Sequence, residues 1–288
     1  MFLFQLKMKP GICAELSGTP EGREAFFLLI FKEAYCHNDG NVLLLRYIKY
    51  RRKGRGIGMI RITGDTHGFI SRFTPGEPDF IQDTQWTKDD VLIICGDFGY
   101  IFRDDAAEEE KLDFLAKKPY TICFADGNHE RFPKIFGYNE EVWCGGRVHR
   151  VRQNIYHLMR GQVFEIQGKR FFTFGGAFSI DRAFKGDLWW EEEIPSLEEF
   201  DEGRKNLAAY NYEIDYCISH TAPAFIVSQL GFNPYANEDR WLHDYLSEDV
   251  YRSCRNKLIC WFFGHFHLDR ELWGGSFRAL LNDVVEIE

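Results

Sequence analysis

The 288-residue sequence predicts an α/β layered fold with two β-sheets. Three observations support this prediction. From residue 59 onward, short apolar segments alternate with longer polar or helical stretches. Later in the chain the apolar segments follow each other closely, as hairpins do. The composition includes 27 Phe, 13 Tyr and 7 Trp, enough aromatic mass for a thick core.

The strand predictions rest on short apolar runs that are bounded by polar or turn-forming residues. Such runs are typical of strands that are buried in a sheet core. Nine segments qualify: 60–63, 91–95, 120–124, 155–158, 163–166, 171–174, 216–219, 258–263 and 277–281.

Three longer segments, 105–117, 196–210 and 238–255, are predicted to be helices. The second has a clear N-terminal signal, because Ser196 is followed three residues later by Glu199. This spacing is the capping box, in which each side chain bonds a free main-chain N–H of the first turn.

Residues 1–58 differ in charge from the rest of the chain. They hold ten Lys and Arg against five Asp and Glu, a net charge of +5, which leaves −14 for residues 59–288. The basic run 46–55 has no helical or strand period, and it is either a tail for a membrane or nucleic acid or an inert appendage. A third interpretation is that the native chain starts at Met59, which opens the first strand. Residues 1–58 are therefore predicted to be an extension, disordered or a start-site artefact, beside a domain at 59–288.

The overall charge and the cysteines limit the classes of function. The net charge of −9 disfavours general binding to nucleic acid but allows a small phosphorylated substrate at a locally positive site.

Four of the eight cysteines, Cys95, Cys123, Cys217 and Cys260, lie in predicted strands, and no CxxC pair occurs. A reducing, cytoplasmic compartment is predicted. The longest early apolar run, 25–31, is too short to span a bilayer, and no signal peptide or membrane partner is expected.

Metal-binding side chains follow five of the predicted strands at the points where those strands end. Because ligands bind at the carboxyl ends of strands in open α/β sheets, the five loops are expected to meet in one crevice. A set of metal ligands that contains imidazole and carboxylate groups but no thiolate suits Mn²⁺, Fe, Zn²⁺ or Ni²⁺ better than Ca²⁺. Adjacent glycines at 64, 68, 96, 127 and 264 allow the sharp turns and close approaches that such loops need. The residues are Asp65, His67, Asp97, Asn128, His129, His220, His265 and His267.

The order of these motifs, DxH, GD, GNHE, H and GHxH, resembles the signature of the calcineurin-like metallophosphoesterases, over residues 59–288. The resemblance implies a four-layer α/β/β/α sandwich with two mixed sheets. It implies that Asp65, His67 and His267 hold one metal ion and that Asn128, His220 and His265 hold the other. Asp97 would bridge the two ions, and His129 would be the catalytic acid rather than a ligand.

Two-metal sites of this kind hydrolyse phosphomonoesters or phosphodiesters by attack of metal-activated hydroxide. Two divalent ions, with Mn²⁺ preferred, are therefore the expected cofactors, and a phosphorylated small molecule or nucleotide-like compound is the expected substrate. The alternatives are a nuclease of the same superfamily, a protein Ser/Thr phosphatase and a non-catalytic scaffold. The phosphatase branch carries GDxVDRG where this chain has GDFGYIFR, so Tyr100 stands in place of its second Asp.

The 90 residues between His129 and His220 resemble the long insert of a bacterial and phage group of metallophosphoesterases. Their polar residues either form the wall of a substrate-binding site or are ordinary side chains that are solvated or packed. Arg147, His149, Ser179 and Asp181 are the candidate substrate-binding residues, with Arg160 and Trp189 or Trp190 as further members of the wall.

Overall fold

The computed structural model describes residues 34–38, 41–45, 58–179, 182 and 189–287. The chain divides into two compact units, Met1–Gly56 and Ile57–Glu288. In the first, strands β1 (Ala34–Asn38) and β2 (Asn41–Leu45) form an antiparallel hairpin, which the sequence did not predict. The apolar run 25–31 and the basic run 46–55 lie outside the described residues.

In the second unit, one sheet has seven strands in the order β15-β3-β4-β5-β8-β7-β6. Strands β3, β4, β5 and β8 are parallel to each other, while β15, β7 and β6 pair in antiparallel fashion, so this sheet is mixed. Its strands are β3 (Ile60–Thr63), β4 (Val91–Ile94), β5 (Thr121–Phe124), β6 (Asn139–Trp143), β7 (Gly146–Arg152), β8 (Ile155–Leu158) and β15 (Val285–Ile287).

The other sheet has six strands in the order β13-β14-β12-β11-β10-β9. Strands β10, β11, β12 and β14 run parallel, and the two edge strands β9 and β13 are antiparallel to their neighbours. Its strands are β9 (Gln162–Ile166), β10 (Lys169–Phe174), β11 (Tyr216–Ser219), β12 (Cys260–Phe263), β13 (Arg270–Leu272) and β14 (Phe277–Ala279).

The helices cover the outer faces of the two sheets. Helix α1 (Ala106–Ala116) packs on the seven-stranded sheet. The six-stranded sheet is covered by α3 (Leu197–Ala209), α4 (Ala224–Gln229) and α5 (Arg240–Tyr245), whose helical path continues through a π-helical turn at Leu246–Tyr251 into α6 (Arg252–Cys254). One short helix, α2 (Phe132–Ile135), follows β5. No helix among the described residues is long and apolar enough to cross a bilayer.

The core confirms the layered fold, because strand residues alternate between two buried faces. In β4, Val91 and Ile93 pack between the sheets, while Leu92 and Ile94 face the layer of α1. Strand β10 has the same alternation on the other sheet. The result is the predicted four-layer α/β/β/α arrangement with two mixed sheets.

Most predicted elements are present, with small shifts at their ends. Helix α3 begins with the predicted capping box, in which Ser196 Oγ accepts from Glu199 N–H and Glu199 accepts from Ser196 N–H. The hairpin of β6 and β7 was not predicted, because β6 is largely exposed and carries the polar sequence NEEVW. The predicted helix 238–255 is helical, but it contains the π-helical turn.

Candidate metal centre

The predicted metal-binding side chains meet at one edge of the two sheets. Each follows a strand that pairs in parallel with at least one neighbour in its own sheet, and ligands bind at the carboxyl ends of such strands in open α/β sheets. The loops that follow β3, β4, β5, β11 and β12 carry, in this order, Asp65 and His67, Asp97, Asn128 and His129, His220, and His265 and His267.

One group of donors is formed by the first and last motifs. His67 Nε2 lies 2.9 Å from His267 Nε2, although the two residues are 200 positions apart in the chain. Asp65 joins them in a set whose potential ligand atoms all lie within 4.8 Å of one another. This set is the one that the resemblance assigned to a single ion.

A second group surrounds the side-chain oxygen of Asn128. His220 Nε2 and His265 Nδ1 each lie 3.0 Å from Asn128 Oδ1. Asp97 connects this group to the first, since its Oδ1 is 3.2 Å from His220 Nε2 and its Oδ2 is 3.7 Å from His67 Nε2. Asp97 therefore occupies the position between the two groups that a bridging ligand requires.

His129 lies beside His67 of the first group and beside Asp97. Its ring centroid is 5.0 Å from that of His67, and its ring nitrogen is close enough to Asp97 and His67 to be counted with them as a potential ligand. Its main-chain N–H donates to Asp97 Oδ1 at 2.9 Å. On the other side, its ring is 5.5 Å from the ring of Phe102.

Four of the site residues have left-handed backbone conformations. The φ angles are 45° for His67, 46° for Asp97, 66° for His265 and 51° for His267. Non-glycine residues adopt this region at an energetic cost, and such residues cluster at functional sites where the surrounding structure enforces them. The bends turn the side chains at positions two apart in DTH and HFH toward the same crevice.

Two of the predicted glycines are required by close packing against the donors. A Cβ atom at Gly127 would lie 2.1 Å from Asp97 Oδ1, and one at Gly264 would lie 2.2 Å from Asp65 Oδ1. Main-chain atoms block the same space, namely the nitrogen of Asp97 next to Gly127 and the oxygen of Cys95 next to Gly264. Glycine at these two positions therefore lets the main chain approach the ligand atoms.

The buried ionisable groups of the site shift one another's pKa values. Burial lowers the pKa of His67 to about 4 and that of His265 to about 3, so both rings are neutral at pH 7. Burial also acts to lower the pKa of His220, but the carboxylates of Asp97 and Asp65 raise it to about 10. Burial raises the pKa of Asp65 to about 7, whereas the pKa of Asp97 lies below its usual range because His220 outweighs burial.

These donors fit divalent metal ions. Asp65 Oδ2 is buried and has no hydrogen-bond partner, which is costly unless a cation compensates it. The Nε2 atoms of His67 and His267 lie 2.9 Å apart, and with both rings protonated on Nδ1 the two lone pairs can bind one shared cation. Imidazole, carboxylate and amide oxygen together form a donor set for a divalent transition metal.

Sequence reasoning missed two residues that position the loop after β5. Glu130 is fully buried, and its carboxyl oxygens accept from Phe98 N–H at 2.6 Å and from Gly127 N–H at 2.7 Å. Asp126 forms a buried ion pair with Arg160 at 2.5 Å and contacts His157 Nε2 at 3.0 Å. The only sequence signal for either residue was a carboxylate next to the GNH motif.

The four candidate substrate residues are distributed differently. Arg147 and His149 line a pocket next to Asp126, where Arg147 pairs with Glu202 and the buried ring of His149 stacks on that of His157 at 5.2 Å. Ser179 is buried. Asp181 lies outside the described residues, and a role in substrate binding remains a prediction for all four.

Comparison with known proteins identifies the family. The model of the calcineurin-like phosphoesterases matches residues 59–269. The chain belongs to this family, and it is a metal-dependent hydrolase of phosphoric esters. The search of curated protein sequences gave no match.

Two solved structures are similar to this chain. A phosphopantetheinyl hydrolase from Mycobacterium tuberculosis is 14% identical, with 77% of this chain and 88% of that chain covered and a TM-score of 0.42. A protein from Staphylococcus aureus, described as a 5′-nucleotidase and solved with alpha-ketoglutarate, is 12% identical with a TM-score of 0.42. The match covers 77% of this chain but only 48% of the Staphylococcus aureus protein, so this chain spans about half of that protein.

Proposed function

We propose that this protein hydrolyses a phosphomonoester or phosphodiester of a small or nucleotide-like molecule, using two divalent ions. Asp65, His67 and His267 would hold one ion, and Asn128, His220 and His265 would hold the other, with Asp97 shared. The observation that carries the proposal is the 2.9 Å contact between His67 Nε2 and His267 Nε2, which joins the two ends of the domain at one point. Mn²⁺ is the ion that we propose first, with Fe, Zn²⁺ and Ni²⁺ as alternatives.

When bound, the two ions would supply positive charge to the phosphoryl oxygens and lower the pKa of a water molecule to near neutrality. The chain itself supplies a proton donor. His129 stands beside the proposed ligands, and its protonated ring would donate to the departing oxygen of the ester. Asp97 fixes that position by accepting the main-chain N–H of His129.

A small substrate is proposed over a nucleic acid because residues 59–288 carry a net charge of −14, which repels a long polyanion. The protein-phosphatase alternative is weakened at Tyr100, which stands where that branch has an aspartate. The Tyr100 side chain is buried, and its hydroxyl donates to Phe69 O at 2.9 Å. We also propose a reducing, cytoplasmic location, since the six described cysteines are all free thiols.

The test starts from protein that has been stripped with a chelator and reloaded with Mn²⁺. Hydrolysis of p-nitrophenyl phosphate is compared with that of bis-p-nitrophenyl phosphate, followed by a panel of nucleotides. We expect about two bound ions per chain by elemental analysis and activity that disappears with the chelator and returns with Mn²⁺. Full activity in the stripped protein, or a reloaded protein that hydrolyses no phosphoester, would refute the proposal.

A further inference from the structure

Two aromatic side chains form a corner beside the proposed proton donor. The ring centroid of Phe102 lies 5.5 Å from that of His129 and 5.9 Å from that of Trp190. The planes of the Phe102 and Trp190 rings meet at 79°. We call Phe102 and Trp190 the aromatic corner. Both side chains are partly exposed, so the corner is open to solvent next to His129.

A cation completes one side of the corner. The guanidinium of Arg131 lies 5.6 Å from the ring centroid of Trp190, within the range of a cation–π contact. Arg131 follows His129 by two residues, and Asp104 lies 3.7 Å from its Nε. The contact holds the indole of Trp190 against the loop that carries His129, although Trp190 comes from the distant insert.

More aromatic rings flank the donor groups on the side of His67 and His265. Phe69 is 61% exposed, and its ring lies 6.3 Å from that of His67. Phe266 lies 5.1 Å from His265 and 5.1 Å from Phe232, which is 49% exposed. Exposed apolar surface next to a polar site is typical of a surface that a ligand covers.

The charge around the corner does not favour a large anion. Arg131 is accompanied by Asp104, and the segment after Trp190 is Glu191–Glu193. In a bound phosphoester, the phosphate would therefore contact the positive charge of the metal ions, and the rest of the molecule would make apolar contacts with the rings. The part of the substrate that meets the corner must be uncharged and flat enough to lie against a ring.

We propose that the site takes a small phosphoester whose leaving group carries a planar aromatic ring, as in a nucleoside 5′-phosphate, and that this ring packs in the aromatic corner. The inference rests on the proposed function, since it places the leaving group next to His129. Stacking of a base on an aromatic side chain changes affinity by roughly 5- to 100-fold. An acyl chain has no aromatic ring, so it would not gain this stacking energy against Phe102 and Trp190.

The test compares AMP with ribose 5-phosphate, using the full chain loaded with Mn²⁺. In both compounds the leaving oxygen is the primary 5-oxygen of a ribose, and the two differ in that AMP carries a base at C1 where ribose 5-phosphate has a hydroxyl. We expect kcat/KM to be at least roughly 5-fold higher for AMP. Both are also measured as inhibitors of bis-p-nitrophenyl phosphate hydrolysis, where AMP is expected to bind more tightly by a similar factor.

Three variants locate the effect. Trp190→Ala is expected to lower kcat/KM for AMP roughly 5- to 100-fold more than for ribose 5-phosphate, and Trp190→Phe to restore most of the difference. The matched control is Trp241→Ala, which removes a 61% exposed tryptophan that also lies under an arginine, Arg240, at 4.6 Å. The control is expected to leave both substrates unchanged.

The outcomes separate this inference from the proposed function. Metal-dependent hydrolysis of p-nitrophenyl phosphate without discrimination between AMP and ribose 5-phosphate would overturn the inference alone. Equal losses for both compounds in Trp190→Ala, or a preference for octyl phosphate over AMP, would overturn it as well. Absence of any metal-dependent hydrolysis would overturn the proposed function instead.

Discussion

Asp97 and His129 are joined directly, because Asp97 Oδ1 accepts a hydrogen bond from the main-chain N–H of His129 at 2.9 Å. The same oxygen accepts the main-chain N–H of Asn128, also at 2.9 Å. The carboxylate that stands between the two donor groups therefore also positions the loop with a proposed ligand and the proposed acid. The proposed metal binding and the proposed proton donation would thus both depend on one buried side chain.

This coupling makes Asp97→Asn an informative variant. Asparagine keeps an oxygen that can accept from the loop but removes the negative charge between the two donor groups. We expect less bound metal and loss of turnover, measured by elemental analysis and by kcat with Mn²⁺. Asp201→Asn, at a 64% exposed side chain paired with Arg204, is the control and should match the wild type. Wild-type metal content and activity in Asp97→Asn would contradict the two-metal assignment.

The acid role proposed for His129 can be tested separately from metal binding. We expect His129→Ala to fold, to keep two bound ions and to lose kcat by about 10²–10⁴-fold. The loss should be smaller for p-nitrophenyl phosphate than for an alkyl phosphate, because a leaving group of low pKa needs little protonation. Equal losses for the two esters, or loss of metal, would rule out the acid role.

His220→Ala provides the contrasting variant. His220 is fully buried among Asp97, Asp65 and Asn128, so its loss should remove metal as well as rate. No choice of leaving group should restore that activity. Retention of both ions in His220→Ala, measured by elemental analysis, would show that the ligand assignment is wrong.

A chain that starts at Met59 is expected to fold and to keep its activity. The main-chain nitrogen of Met59 donates to Asp90 Oδ1 at 2.9 Å, and an amino terminus at this position can make the same bond. We expect the thermal midpoint to stay within a few degrees of the full chain and kcat to be unchanged. An insoluble or much less active protein would show that residues 1–58 belong to the domain.

Asp90 is predicted to stabilise the start of the domain in a pH-dependent way. Burial acts to raise its pKa, but hydrogen bonds from Thr87 and Met59 and the charge of Arg61 hold it below the usual 3.8. Because the pKa of Asp90 is lower in the folded than in the unfolded chain, its ionised carboxylate stabilises the fold above pH 3.8. This stabilisation is lost as the pH falls through the folded-state pKa. Asp90→Asn should cost about 1–3 kcal/mol of unfolding free energy at pH 7 by denaturant titration.

The acid side of the same titration provides the check on Asp90. The difference in unfolding free energy between wild type and Asp90→Asn should shrink as the pH falls from 3.8 through the folded-state pKa, because the carboxyl group is protonated first in the unfolded chain and at lower pH in the folded one. Asp89→Asn, at a 54% exposed neighbour, is the control and should show a much smaller difference. A difference that stays constant from pH 7 to pH 2.5 would contradict an electrostatic contribution.

Much of the fold could be predicted because its signals are local. Strands β3, β8 and β11 have the predicted bounds, since each is a short, mostly buried run. The polar hairpin β6–β7 was missed, because an exposed strand has no apolar run to reveal it. Helix α3 was visible from its capping box alone.

The sequence by itself determined which residues form the candidate metal centre, since each follows a strand end and parallel strands bring their ends to one edge. Only the tertiary structure decided how they are grouped and what surrounds them. The contact of His67 with His267 spans 200 residues, and Phe102 meets Trp190 from the far insert. Such pairings depend on the order of strands in each sheet and on how the sheets pack, and no local pattern of residues encodes either.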